Sequence, residues 1–142
     1  MRLWHQKLIP YLPRQQLLGQ HRECCALRGK GWGKKHATVD YVFTHSPSKL
    51  VAYHWLIMRE MNRRGYKPDE TWIDPCYRGK TIGYDQEFAD VYATKIEYGM
   101  AIIEKLNYII YDEHNKEYLK ECLENLKSKG IEIEIKGEEN GR

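Results

Sequence analysis

Two groups in this chain have the chemistry to act together: the α-amine of Met1 and the carboxylate of Glu23, which directly follows Arg22. An α-amine has a reference pKa of roughly 7.7–8.0, so about a tenth of it is neutral at pH 7, whereas a lysine amine is almost wholly protonated. A free amino terminus is therefore a ready nucleophile toward an aldehyde or a sugar C1′. Neighbouring arginines raise the neutral fraction by like-charge repulsion. Arg2 is too bulky to favour removal of the initiator, so the expected nucleophile is the α-nitrogen of Met1. Attack at carbon needs a partner that moves a proton and stabilises an iminium or an opened sugar, and Glu23 is the candidate. A lone helical glutamate is far more often a solvated surface charge, so its surroundings must decide.

Charge supplies the first of those surroundings. Residues 1–67 carry 13 Lys/Arg against 3 Asp/Glu, and residues 68–142 carry 10 against 17, although the whole chain is only +3. A basic amino-terminal half reads as a surface for a polyanion, with the acidic half as a solvated back. Arg2, Arg14, Arg22, Lys30, Lys34, Lys35 and His36 are the candidate contacts to nucleic acid. Surface charge without a partner is the plainer alternative. The segment 29–36 combines three glycines with three lysines and suits phosphates, although it lacks the phosphate-loop spacing and a flexible linker has the same composition. Trp4, Tyr11 and Trp32 could stack on bases or wedge between them. Aromatic side chains of this kind more often pack inside.

Other chemistries find less support. Cys24, Cys25, Cys76 and Cys122 form no disulfide ladder and read as reduced thiols of a cytoplasmic protein. Cys24 and Cys25 would point about 100° apart on a helix and are poor joint ligands. A metal-dependent hydrolase built from His5, His21, His36 and a cysteine is a minor alternative; neither a metal nor a cofactor is expected. The first twenty residues, with Arg2, His5, Lys7, Pro10, Pro13 and Arg14, do not read as a signal peptide. No apolar run approaches the ~18 residues of a membrane span.

The elements that must position these groups are mostly helices. A first helix over 13–27 opens at Pro13, which suits a first turn. It carries an inner stripe of Leu17, Leu18, His21, Cys24 and Cys25 beside a second line of Gln16, Gln20, Glu23 and Leu27. Gly19 sits one turn before Glu23, which would let another group approach the carboxylate; close helix packing explains it equally well. Residues 38–43 are β-branched and aromatic and suggest a short strand. A second helix begins at Ser46-Pro47 and ends at Gly65, with Leu50, His54, Ile57, Met58 and Met61 inside and Arg63-Arg64 in the last turn. His54 reads as a satisfied interior histidine. A third helix is expected over 86–107 and a fourth over 116–129, flanked by Asn115 and Gly130. The strict alternation at 131–135 suggests another short strand, and 136–142 a disordered tail. At 142 residues this is one domain, 1–135, mainly α: a compact bundle of about four helices with long loops and one or two short strands.

Met1-Arg2-Leu3-Trp4 and Leu17-Leu18-Gly19-Gln20-His21-Arg22-Glu23 resemble the pyrimidine-dimer DNA glycosylase family, the phage endonuclease V type. So do Ser46-Pro47, His54-Trp55 and Arg63-Arg64-Gly65-Tyr66; the likeness covers about the first half of the chain. The resemblance implies a compact helical enzyme that cuts the N-glycosidic bond of the 5′ base of a dimer and then acts as an abasic-site lyase. It implies a terminal amine that forms a Schiff base with C1′, a helical glutamate matching Glu23, and strand-contacting arginines matching Arg2 and Arg22. The family's next arginine falls at Ala26 here, with Arg28 two residues on as its substitute, and a family histidine falls at Gln16. The carboxy-terminal half does not align with the family's basic, aromatic end. The reading is a nucleoid-associated, monomeric DNA-repair glycosylase/lyase acting on damaged double-stranded DNA; a non-catalytic nucleic-acid-binding protein of the same fold is the alternative.

Overall fold

Proline and glycine set the boundaries of the helices. The computed structural model describes residues 3–29, 40–45, 47–85 and 109–135. A 3-10 helix, Gln6–Tyr11, opens the described chain, and the His5 ring accepts from the Lys7 amide at 3.1 Å to cap it. Helix α1, Arg14–Arg28, starts at Pro13, whose φ of −58° is pre-set by its ring. Its buried residues are Leu17, Gln20, Cys24, Leu27 and Arg28. That line runs between the two stripes expected from sequence. It brings Gln20 inside, leaving His21 and Cys25 half-buried.

Helix α2, Pro47–Arg63, is the central element and packs against α1 and the first two 3-10 helices. Leu50 through His54 are all buried, as are Leu56, Ile57, Met58, Glu60 and Met61, so this helix is enclosed on nearly every side. It ends where Gly65 takes φ +84° and the Tyr66 amide reaches back to the Met61 carbonyl at 2.8 Å. That left-handed turn favours glycine. Arg63 and Arg64 hold the buried Glu60 at 2.7 Å each, and Arg64 also donates to the Leu12 carbonyl at 2.7 Å. The arginine pair therefore ties the end of α2 to the amino-terminal segment.

Helix α3, Lys116–Ser128, is capped by Asn115, whose side chain accepts from the Tyr118 amide at 2.9 Å. Gly130, at φ +81°, ends it. Leu119, Cys122 and Leu126 point inward and join one core with Leu3, Leu8, Leu17, Leu27, Tyr53 and Ile57. Each fully buried leucine contributes roughly 2 kcal/mol.

Both expected strands are corrected. Residues 40–44 form a 3-10 helix, Asp40–Thr44, that turns Val42 into the core. Residues 131–135 keep their alternation, with Ile131, Ile133 and Ile135 on the core and Glu132 and Glu134 exposed, yet they form no strand. β-Propensity needs a partner edge, and among the described residues none is offered. The described part is mainly helical, with a single antiparallel bridge between Tyr77 and Tyr84. The expected helix over 86–107, residues 30–36 of the expected glycine-lysine loop and the tail at 136–142 lie outside the described residues. Among the described residues no helix is long and apolar enough to cross a membrane.

Candidate active site

Helix α1 presents Arg22 and Glu23 on different sides. Arg22 is exposed, with its Nη2 3.7 Å from where a Cβ on Gly19 would sit. A Cβ there would make only ordinary contact with the guanidinium, so close helix packing does not require the glycine. Arg14 is also exposed and lies over the Tyr66 ring at 5.4 Å. Two turns of helix separate it from Arg22, about 12 Å of rise, a span compatible with two phosphates. Glu23 is half-buried, and its Oε2 atom is cut off from solvent.

The segment entering α1 from the amino-terminal side is held by side chains at three points. The Trp4 amide donates to Gln20 Oε1 at 2.6 Å. The Tyr53 hydroxyl donates to the Trp4 carbonyl at 2.5 Å and sits 3.0 Å from the same Gln20 oxygen. The Tyr118 hydroxyl donates to the Leu3 carbonyl at 2.6 Å. Gln20 and Glu23 are three residues apart on α1, so their side chains are neighbours. Sequence reading put Gln20 on the same line as Glu23 but attached no partner to it; Tyr53 and Tyr118 carried no local signal at all. Met1 and Arg2, like Lys30, Lys34, Lys35 and His36, lie outside the described residues. Trp4 is buried, with Lys129 Nζ 5.5 Å from its ring centre, and Tyr11 is half-buried.

Arg28 does not stand in for the family's missing arginine. It is 4% exposed and donates to the carbonyls of Trp72, Asp74 and Tyr77 at 2.7, 2.8 and 3.2 Å. Burial pulls its pKa down to about 10, which still leaves it a cation at neutral pH. It pins the 72–77 connection to α1 and cannot reach a DNA strand.

Arg28 also organises a histidine chain. Its Nη1 lies 3.0 Å from His54 Nδ1. A guanidinium can only donate, so His54 Nδ1 accepts and Nε2 carries the proton toward His21 Nδ1 at 2.8 Å. His21 Nε2 then faces Cys25 Sγ at 3.8 Å. His54 is wholly buried, the satisfied interior histidine expected from sequence. Burial and the Arg28 charge hold its pKa well below the ordinary value. Burial likewise lowers His21 and pushes the Cys25 thiol up to about 11. His21, Cys25 and His54 offer ligand atoms within 4.8 Å of one another. A metal on His54 Nε2 would force a proton onto Nδ1, against the Arg28 donor, so the donor set fits a hydrogen-bond chain better than a metal cage. His5 belongs to another group, stacked on His114 at 5.3 Å.

A protein-family model described as pyrimidine dimer DNA glycosylase matches residues 1–74. With that match and a helical fold, the chain belongs to the pyrimidine dimer DNA glycosylase family, a family of DNA-repair enzymes that act on DNA. No curated protein and no solved structure matches it.

Proposed function

We propose that this protein is a DNA-repair glycosylase and abasic-site lyase acting on pyrimidine-dimer-like damage, with the Met1 α-amine as nucleophile and Glu23 as its carboxylate partner. The three-point hold on Leu3 and Trp4 carries this reading. From the held Leu3 carbonyl back to the Met1 nitrogen is nearly three residues, about 10 Å at full extension. The hold is centred on Gln20, next to Glu23 on the same helix face. A tether of that length supports the reading that the amine and the carboxylate act together.

The chemistry follows from those two groups. The neutral amine attacks C1′, and the glycosidic bond breaks with its electrons leaving on the base, which takes a proton. The attacking nitrogen passes a proton to the Glu23 carboxylate. Ring opening then breaks the C1′–O4′ bond, O4′ is protonated by Glu23, and an iminium forms at C1′. Loss of a C2′ proton to the carboxylate expels the 3′ phosphate, and water releases the amine. Arg22 and Arg14 hold the strand through its phosphates, with Arg2, Lys30, Lys34, Lys35 and His36 as further contacts. Extrusion of the damaged site is easiest where stacking is already disturbed.

The test compares Glu23→Gln with the unaltered protein on dimer-containing duplex DNA. Loss of strand cleavage with affinity within about twofold supports the carboxylate role. Full cleavage by the variant removes it. Binding without any base release by the unaltered protein would favour the non-catalytic DNA-binding alternative.

A further inference from the structure

The acidic carboxy-terminal half has a specific place in this arrangement. Ile110, His114 and Tyr118 bond to the amino-terminal segment. The Ile110 amide donates to Gln6 Oε1 at 2.8 Å, and the Gln6 amide donates to His114 Nδ1 at 3.1 Å. His114 lies 5.3 Å from both the His5 and the Tyr118 rings, which are 6.3 Å from each other, and its Nε2 meets the Tyr41 hydroxyl at 2.7 Å. Tyr118 then donates to the Leu3 carbonyl. Ile110, His114 and Tyr118 lie beyond the 1–74 segment that the family model matches.

We infer that this carboxy-terminal arm positions the amino-terminal nucleophile, with Tyr118 as its principal positioning residue. The inference rests on the reading of the Met1 amine as nucleophile. Leu3 is the last described residue before that amine. Its carbonyl accepts from the Tyr118 hydroxyl. The Leu3 carbonyl and the Trp4 amide belong to one planar peptide unit, and bonds at both of its ends fix the plane from which the chain continues through Leu3 toward Met1. The bond at the Trp4 amide alone would leave that plane free to turn about it. Misplacement of a reacting group by about 1 Å can cost on the order of a hundredfold in rate, so one bond at this point is enough to matter. The ring of Tyr118 packs on His114 and the core, so removing the oxygen leaves the packing in place.

The experiment uses full-length protein with its terminus confirmed as Met1 by mass spectrometry. Single-turnover borohydride trapping is measured at saturating abasic-site duplex for the unaltered protein, Tyr118→Phe and Tyr53→Phe, alongside melting temperature and DNA affinity. Reductive methylation with formaldehyde reports the intrinsic reactivity of the amine. Tyr118→Phe should trap at least tenfold more slowly, with affinity within about twofold and formaldehyde labelling unchanged. Tyr53→Phe should show the same pattern. A purely structural Tyr118 would instead lower stability, affinity and trapping together, which overturns the positioning role. Equal trapping rates in folded variants overturn that role alone. Failure of the unaltered protein to trap overturns the nucleophile and, with it, the arm's function.

Discussion

The side-chain oxygen of Gln20 accepts the Trp4 amide at 2.6 Å, and this bond couples helix α1 to the segment that leads to Met1. Gln20 is 3% exposed. Replacing it with Leu leaves the buried Trp4 N–H without this acceptor, at a cost of about 1–3 kcal/mol. Urea unfolding should report that loss. Cleavage should fall more than stability predicts, because the same bond tethers the amine; unchanged cleavage in folded Gln20→Leu would detach the bond from function.

Arg22 and Arg28 sit six residues apart on one helix and should behave oppositely. Arg22→Gln should leave stability within about 0.5 kcal/mol, since the side chain is exposed. It should lower the slope of log affinity against log salt by about 1, the loss of one phosphate contact. Arg28→Met should destabilise by on the order of 3 kcal/mol, because several buried acceptors lose a charged donor. Its salt slope should not change. Hydrogen exchange should quicken around residues 72–77 in Arg28→Met only.

The buried histidines predict acid sensitivity. Burial, reinforced by His5, lowers His114 to about 3. Its folded pKa lies below the unfolded value of ~6.5, so the unfolded chain binds the extra proton as pH drops. Stability is fully present above about 6.5 and is lost between there and about 3. His114 alone accounts for on the order of 2 kcal/mol between pH 6.5 and 5, and His54 adds a loss of the same sign. Urea midpoints at pH 8 and pH 5 check this. His114→Gln should flatten part of the difference, and an unchanged slope would show that His114 is charged or exposed in solution.

The helix ends were legible because their chemistry is local. Asn115 and Gly130 bracket α3 as expected, Pro13 and Gly65 do the same for α1 and α2, and an apolar stripe marked His54 as interior. Burial that depends on a distant partner was not legible. Gln20 looks like a surface glutamine until Trp4 and Tyr53 arrive from elsewhere in the chain. Arg28 reads as one more cation of a basic half, yet three carbonyls from 72–77 consume it. The strands failed for a related reason: residues 40–43 and 131–135 have strand-like side chains, but among the described residues no neighbouring strand completes a ladder. The acidic tally of the second half concealed its working residues, because His114 and Tyr118 point inward and contribute nothing to it.

The α-amine assignment is tested most directly by locating the covalent bond. Protein with a confirmed free Met1 is trapped with borohydride on abasic-site duplex DNA, digested, and the DNA-linked peptide is sequenced by mass spectrometry. The adduct is predicted on the Met1 nitrogen, and its yield should collapse when Glu23 is replaced by Gln. An adduct on a lysine side chain, or no adduct at all, would contradict the account.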